Sequence, residues 1–246
     1  MIRAELLNQK ESILLEFLSQ IPPDLMAAER FLKEAAVSVG EINEVAVSYA
    51  DMCFWDVVDF EQEHATSCSE GIVPDLHSTY ILEVLELLLR FGLDPNGFVD
   101  GNNIMDSLRY VENELLAADA LVLLLEHGGR AGLFIPEEGE TLFRAVDFDI
   151  CYGVGEQSNR RMFTSWVHCW MVLVGYGARY SKNIDENNEF MKIFPQQVSK
   201  YSGGRFDLRK LKNHRDYFFG ISAVGEDVKL SIYDRETLWE VVELRC

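Results

Sequence analysis

The stretch Leu87-Leu88-Leu89-Arg90-Phe91-Gly92-Leu93-Asp94-Pro95-Asn96 decides the fold, because an apolar helical run ends in it on a glycine and leaves through a turn. Glycine takes the left-handed conformation that closes a helix at little cost, and proline shortly afterwards keeps the helix from continuing. The frame returns 36 residues later in Leu123 to Arg130 (LLLEHGGR). It returns more weakly in Val172 to Arg179 (VLVGYGAR) and weakest in Ala35 to Asn43 (AAVSVGEIN), where Gly40 is the expected helix end. Outward from these frames, an apolar stripe of Leu6, Leu7, Ile13, Leu14, Phe17 and Leu18 predicts a helix over 3–18. Pro22 and Pro23 stop it, Asp24 can cap the next helix over 25–39, and further helices are expected near 45–60, 78–91, 104–111, 113–127, 141–151 and 159–174. Few strands are expected before residue 210.

These frames resemble the end of an ankyrin repeat, where the second helix stops at glycine and an Asp- and Asn-rich turn opens the next unit. The family's T-P-L-H-x-A helix start is approximated in Gly139 to Val146 (GETLFRAV), which keeps Thr141, Leu142 and Ala145 without the Pro and His. Asp100 to Leu108 (DGNNIMDSL) keeps only the turn and the apolar spacing. In the family those Thr and His side chains bond around the turn, so the resemblance implies weakened or substituted turn bonding. Gly40, Gly92, Gly128 and Gly177 lie 52, 36 and 49 residues apart, against a family period of about 33. Two units therefore carry insertions, visible as the polar stretches 61–74 (EQEHATSCSEGIVP) and 152–160 (YGVGEQSNR). The expected fold is mainly α, an ankyrin-like solenoid of helical hairpins over 1–180. A small antiparallel β meander over 181–246 should pack on the last repeat, with alternating runs at 217–222, 228–233 and 238–244.

With 48% hydrophobic and 26% charged residues, the composition of the 246-residue chain is that of a globular protein and not of a disordered one. No apolar run approaches a membrane span, and Glu5, Lys10, Glu11 and Glu16 interrupt the first helix where a secretory leader would be apolar, so a cytoplasmic location is expected. Five scattered cysteines, an odd number, read as reduced thiols. A net charge of −19 disfavours nucleic acid, whose phosphates need a cationic surface. The charge is polarised. Residues 34–89 hold twelve acids and no Lys or Arg, whereas the last third is slightly basic. Such a field steers a basic partner.

The search for chemistry returns little. His64, Cys68 and His77 are spaced for a metal clasp but lack further ligands, and no catalytic, cofactor-binding or metal-ligating residue is assigned. His168 and Cys169 are adjacent on a helix, so they face different ways and read as packing. Gly153-Val154-Gly155 lacks the third glycine of a dinucleotide fingerprint, and no Walker-type motif exists. The expected function is non-enzymatic binding of a basic protein, as an immunity or inhibitor protein that neutralises a basic toxin enzyme. An acidic surface from Glu41 to Glu70 and around Glu137 to Glu140 would carry it, through Asp51, Trp55, Asp56, Asp59, Glu61, Glu63, Glu70, Asp100, Glu137, Glu138 and Glu140. Two alternatives stay open: an enzyme whose site is assembled from distant His and acidic residues, and a structural subunit that self-associates through the strand edge at 238–244.

Overall fold

Apolar residues recurring every three or four positions generate helices α1 (Gln9–Leu18), α2 (Leu25–Glu34), α3 (Val39–His64), α4 (Ile81–Arg90), α5 (Ile104–Ser107), α6 (Leu116–Glu126) and α7 (Arg160–Gly175). They are seen in a computed structural model that describes residues 9–64, 77–111, 113, 115–135, 140–143, 145–146, 149–150, 160–178, 200–201, 206–224 and 227–245. The molecule is mainly helical, with a small antiparallel sheet at its C-terminal end. Among the described residues no helix is long and apolar enough to cross a membrane.

Consecutive helices bury their stripes against one another. α1 packs on α2 and α3, α3 on α4, α4 on α6, and α6 on α7. The core runs along this stack as Leu14, Leu18, Tyr49 and Cys53, then Val84, Leu85 and Leu88, then Leu121 and Leu124, and finally Val167, Trp170 and Leu173.

The three best glycine frames close their helices alike. Gly92, Gly128 and Gly177 have φ of 101°, 97° and 96°. In each, the glycine N–H bonds back to Leu89, Leu125 or Val174, and the next N–H reaches the carbonyl of Leu88, Leu124 or Leu173 at 2.9–3.0 Å. This is the glycine-closed motif that satisfies the last carbonyls of a helix.

The fourth frame departs from expectation. α2 ends at Glu34, five residues early, and Ala36 takes the left-handed position with φ 48°. Gly40 lies in the first turn of α3 instead. The reason is a capping box: the Glu41 carboxylate accepts from the Ser38 N–H, and the Glu41 N–H donates to Ser38 Oγ at 3.3 Å, which starts a helix where the glycine was expected to end one. α3 then runs on to His64, into the stretch expected to be an insertion loop.

Strands before residue 210 were expected to be few, and five two-residue strands occur there among the described residues. β1 (Phe98–Val99) pairs with β2 (Asn102–Asn103), and 36 residues later β3 (Phe134–Ile135) pairs with β4 (Glu140–Thr141). β5 (Lys200–Tyr201) belongs to the terminal sheet. Helical backbone follows β4 at 142–143, 145–146 and 149–150. Asn103, which is fully buried, bonds the turn ahead of α5. Its amide donates to the Pro95 and Gly97 carbonyls, and its oxygen caps α5 at the Met105 N–H. An asparagine side chain holds each of the two turns: the Asp94 N–H bonds Asn43 Oδ1 of α3 at 3.0 Å, and the Arg130 N–H bonds Asn96 Oδ1 of the preceding turn at 2.9 Å.

The terminal sheet has the order β5, β8 (Glu240–Arg245), β7 (Asp227–Asp234), β6 (Tyr217–Val224), antiparallel throughout. The expected three-strand meander is present as β6, β7 and β8, and β5 adds a fourth strand. β5 seats on β8 at Val242 and Glu243, so the edge expected for self-association is occupied there, and β6 is the outer strand instead. Leu238, placed in a strand by its sequence, has φ 59° and lies in the turn before β8. The sheet docks on α7 through Phe219, whose ring meets Phe163 edge-on at 5.7 Å. The short 3-10 helix Leu208–Lys212 lies against the end of α7, where a Cβ on Gly175 would come within 2.3 Å of the Lys212 nitrogen.

Candidate functional site

The proposed partner-binding residues separate into three groups. Asp51 is exposed on α3, and Asp100 is exposed with φ 48° in the tight turn between β1 and β2. Trp55, Asp56, Asp59, Glu61 and Glu63 ride on the described backbone of α3, and Glu140 on that of β4, but their side chains lie outside the described set. Glu70, Glu137 and Glu138 fall outside the described residues altogether. Glu41, the near end of the expected acidic face, is 8% exposed, and its hydrogen bonds from the Ser38 backbone and hydroxyl hold its carboxyl below the usual range. It caps a helix and offers nothing to a partner.

Several aromatic side chains of the helices, and His77, are core. Tyr49, Trp166 and Trp170 are buried. Tyr49 donates to the His77 carbonyl at 3.0 Å, and the His77 ring bonds the Ser19 carbonyl at 3.0 Å, tying α3 to the end of α1. His64 and Cys68 lie outside the described side chains, and no group of three potential metal ligands occurs among those described. Trp166 Nε1 donates to the Arg109 carbonyl, and the buried Arg109 guanidinium pairs with Asp106 and Asp149 at 2.9 Å each. That network fastens α7 to the unit before it.

Other aromatics are exposed, Phe98 and Phe134 among them. Phe98 (37% exposed) and Phe134 (54%) occupy the first position of the two hairpins, 36 residues apart. Sequence reasoning passed over both, because a two-residue strand is too short to display alternation. Comparing the two frames position by position would have found them.

A second arrangement joins residues far apart in the chain. His214, in the 3-10 turn before β6, places Nε2 at 2.9 Å from Asp119 Oδ1 on α6 and Nδ1 at 3.1 Å from His168 Nδ1 on α7. Arg215 clasps the same carboxylate through Nε and Nη2. Burial alone would raise the Asp119 carboxyl; the hydrogen bonds from His214 and Arg215, with the guanidinium charge, outweigh it and bring it down to about 2. His168 is 3% exposed, and burial, followed by the repulsion that a proton on it would meet from one on His214 and from the Arg235 and Arg215 guanidinium groups, holds its imidazole down at about 4. Cys169 beside it is buried, its thiol pushed up to about 12 by desolvation, and serves as packing. His168 is therefore more than the packing residue expected from its helix. It also lines a cavity of about 690 Å³ with Leu115, Phe163, Phe219, Ile221 and Arg235.

No family model, curated protein or solved structure matches the chain. Function must be argued from these surfaces.

Proposed function

We propose that the chain is a non-enzymatic protein-binding module, a divergent ankyrin-type repeat over 1–180 with residues 181–246 as a terminal appendage. Its partner is a basic protein, and an immunity or inhibitor role against a basic toxin enzyme is the specific form of the proposal. The observation that carries this reading is the recurrence, 36 residues apart, of a hairpin that follows a glycine-closed helix and presents an exposed phenylalanine, Phe98 in one and Phe134 in the other. Exposed aromatic side chains at repeated positions of a rigid scaffold are the kind of residue that dominates binding energy at interfaces. The hydrogen bonds between Asn43 of α3 and the turn at Asp94, and between Asn96 of that turn and the turn at Arg130, support the repeat, because each fixes one segment against the next.

Charge supplies the partner class. α3 and the segments beside it belong to a stretch of twelve acids without a cation, and exposed Asp51 and Asp100 lie on the helical side of the molecule. Such a surface accelerates encounter with a cationic protein and rejects anionic ones. The hairpin part is tested by isolating the partner with the tagged chain from its native cells and measuring its affinity for Phe98→Ala, Phe134→Ala and the double variant by calorimetry. Each single change should cost about 1–2 kcal/mol of binding with the folded state unchanged. Partner affinity equal to that of the unaltered chain in the double variant would reject the hairpin tips as the interface.

A further inference from the structure

The cavity between α7 and β6 has a polar centre that protein binding through the helical face does not use. Its lining includes Leu115, Phe163, Phe219 and Ile221 together with His168 and Arg235. About 690 Å³ lies within the range of small-molecule sites. Among the described residues, the hydrogen bond of the His168 side chain is made by Nδ1 alone, to His214. The ring is nearly closed off from solvent otherwise, so the edge it offers the cavity carries Nε2. Arg235 spends Nε on the Arg215 carbonyl at 2.9 Å and rests over the Phe218 ring at 5.8 Å; its terminal nitrogens have no hydrogen-bond acceptor among the described residues.

The chain of partners fixes what Nε2 can do. In the neutral pair, the Asp119 carboxylate accepts from His214 Nε2–H, which leaves His214 Nδ1 with a lone pair. That lone pair accepts from His168 Nδ1–H, which leaves Nε2 of His168 unprotonated. Asp119 thus acts from α6, through His214, to present a hydrogen-bond acceptor inside an aromatic cavity. Arg235 supplies a cation next to it.

We propose that this cavity is a binding site for a small aromatic acid that carries a hydroxyl or ring N–H. The hydroxyl or N–H donates to His168 Nε2, the ring packs against Phe163 and Phe219, and the carboxylate meets Arg235. Asp119 and His214 are positioning residues, which set the tautomer without touching the ligand. An acceptor in the lining of the cavity favours a ligand with a donor over one of the same shape without it.

The test uses 4-hydroxyphenylacetate and 4-methoxyphenylacetate as probes on the full chain, with binding followed by NMR titration. The expected result is saturable binding of the phenol, about 10-fold weaker binding of the methyl ether, and about 10-fold weaker binding of the phenol to Arg235→Gln. Asp119→Asn, when its amide donates to His214, reverses the chain and puts a proton on His168 Nε2, so the preference for the phenol over the ether should narrow. Long-range proton–nitrogen spectra of the histidines at neutral pH read the tautomer without any variant, and Nε2 of His168 should carry no proton. A protonated Nε2, equal affinity for the two probes, or no saturable binding of the phenol at millimolar concentration overturns the proposal.

Discussion

Asp119, His168 and His214 illustrate how a buried polar chain makes stability depend on pH. His168 ordinarily titrates at 6.5 and is held at about 4 in the fold, so the unfolded chain binds a proton that the folded chain refuses. Its contribution is complete above pH 6.5 and falls away as pH drops towards 4, by on the order of 3 kcal/mol. Asp119 acts in the same direction lower down, from its ordinary 3.8 towards about 2. Denaturant unfolding across pH 7 to 4 should therefore show falling stability that His168→Phe flattens; a slope unchanged in that variant contradicts the assignment. A second residue is out of place. Ala36 occupies a left-handed position, φ 48°, immediately after α2, where a side chain costs about 1 kcal/mol and glycine would not. Ala36→Gly should raise the unfolding free energy by up to about 1 kcal/mol, and a loss of stability would count against the helix end drawn here.

Helix ends were legible in the sequence wherever glycine performed the closing. Gly92, Gly128 and Gly177 all sit at the left-handed position the frames required. The end of α2 was not legible, because alanine in that conformation gives no compositional signal and Gly40 nearby gave a false one. Alternation over 217–244 disclosed β6 to β8, whereas two-residue strands such as β1 and β5 carry no periodicity to detect. The His214–Asp119 contact joins residues 95 apart, and neither the helix nor the turn that holds them announces the pairing. The two glycines ending α6 should separate conformational strain from collision. A Cβ at Gly128 meets nothing within 4 Å, so Gly128→Ala should cost only about 1–2 kcal/mol of backbone strain. A Cβ at Gly129 falls 2.9 Å from the Leu124 carbonyl and 3.0 Å from Met105 Sδ, so Gly129→Ala should add a packing penalty of about 1–3 kcal/mol where α5 and α6 meet. A Gly129→Ala variant with unchanged thermal stability would mean that the turn is not packed as described.

At the scale of the molecule, a helical stack and a terminal sheet meet along α7. Gly175 lets the backbone of the 3-10 helix at Leu208–Lys212 approach that close, and no side chain fits between them. Gly175→Ala should loosen the terminal sheet from α7, exposing it to limited proteolysis while α1 to α4 stay protected from hydrogen exchange; undiminished protection of β6 and β7 would place the cohesion elsewhere. The other molecular property is polarity of charge, with the acids concentrated between residues 34 and 89. The measurement that most directly tests binding of a basic partner is the salt dependence of its association rate, for the unaltered chain and for a variant with Asp51, Asp56, Asp59, Glu61 and Glu63 changed to lysine. Electrostatic steering predicts a rate that falls steeply as salt rises from about 10 to 150 mM, and a variant that is at least about 10-fold slower at low salt with the dependence abolished or inverted. Rates that coincide at low salt would contradict it.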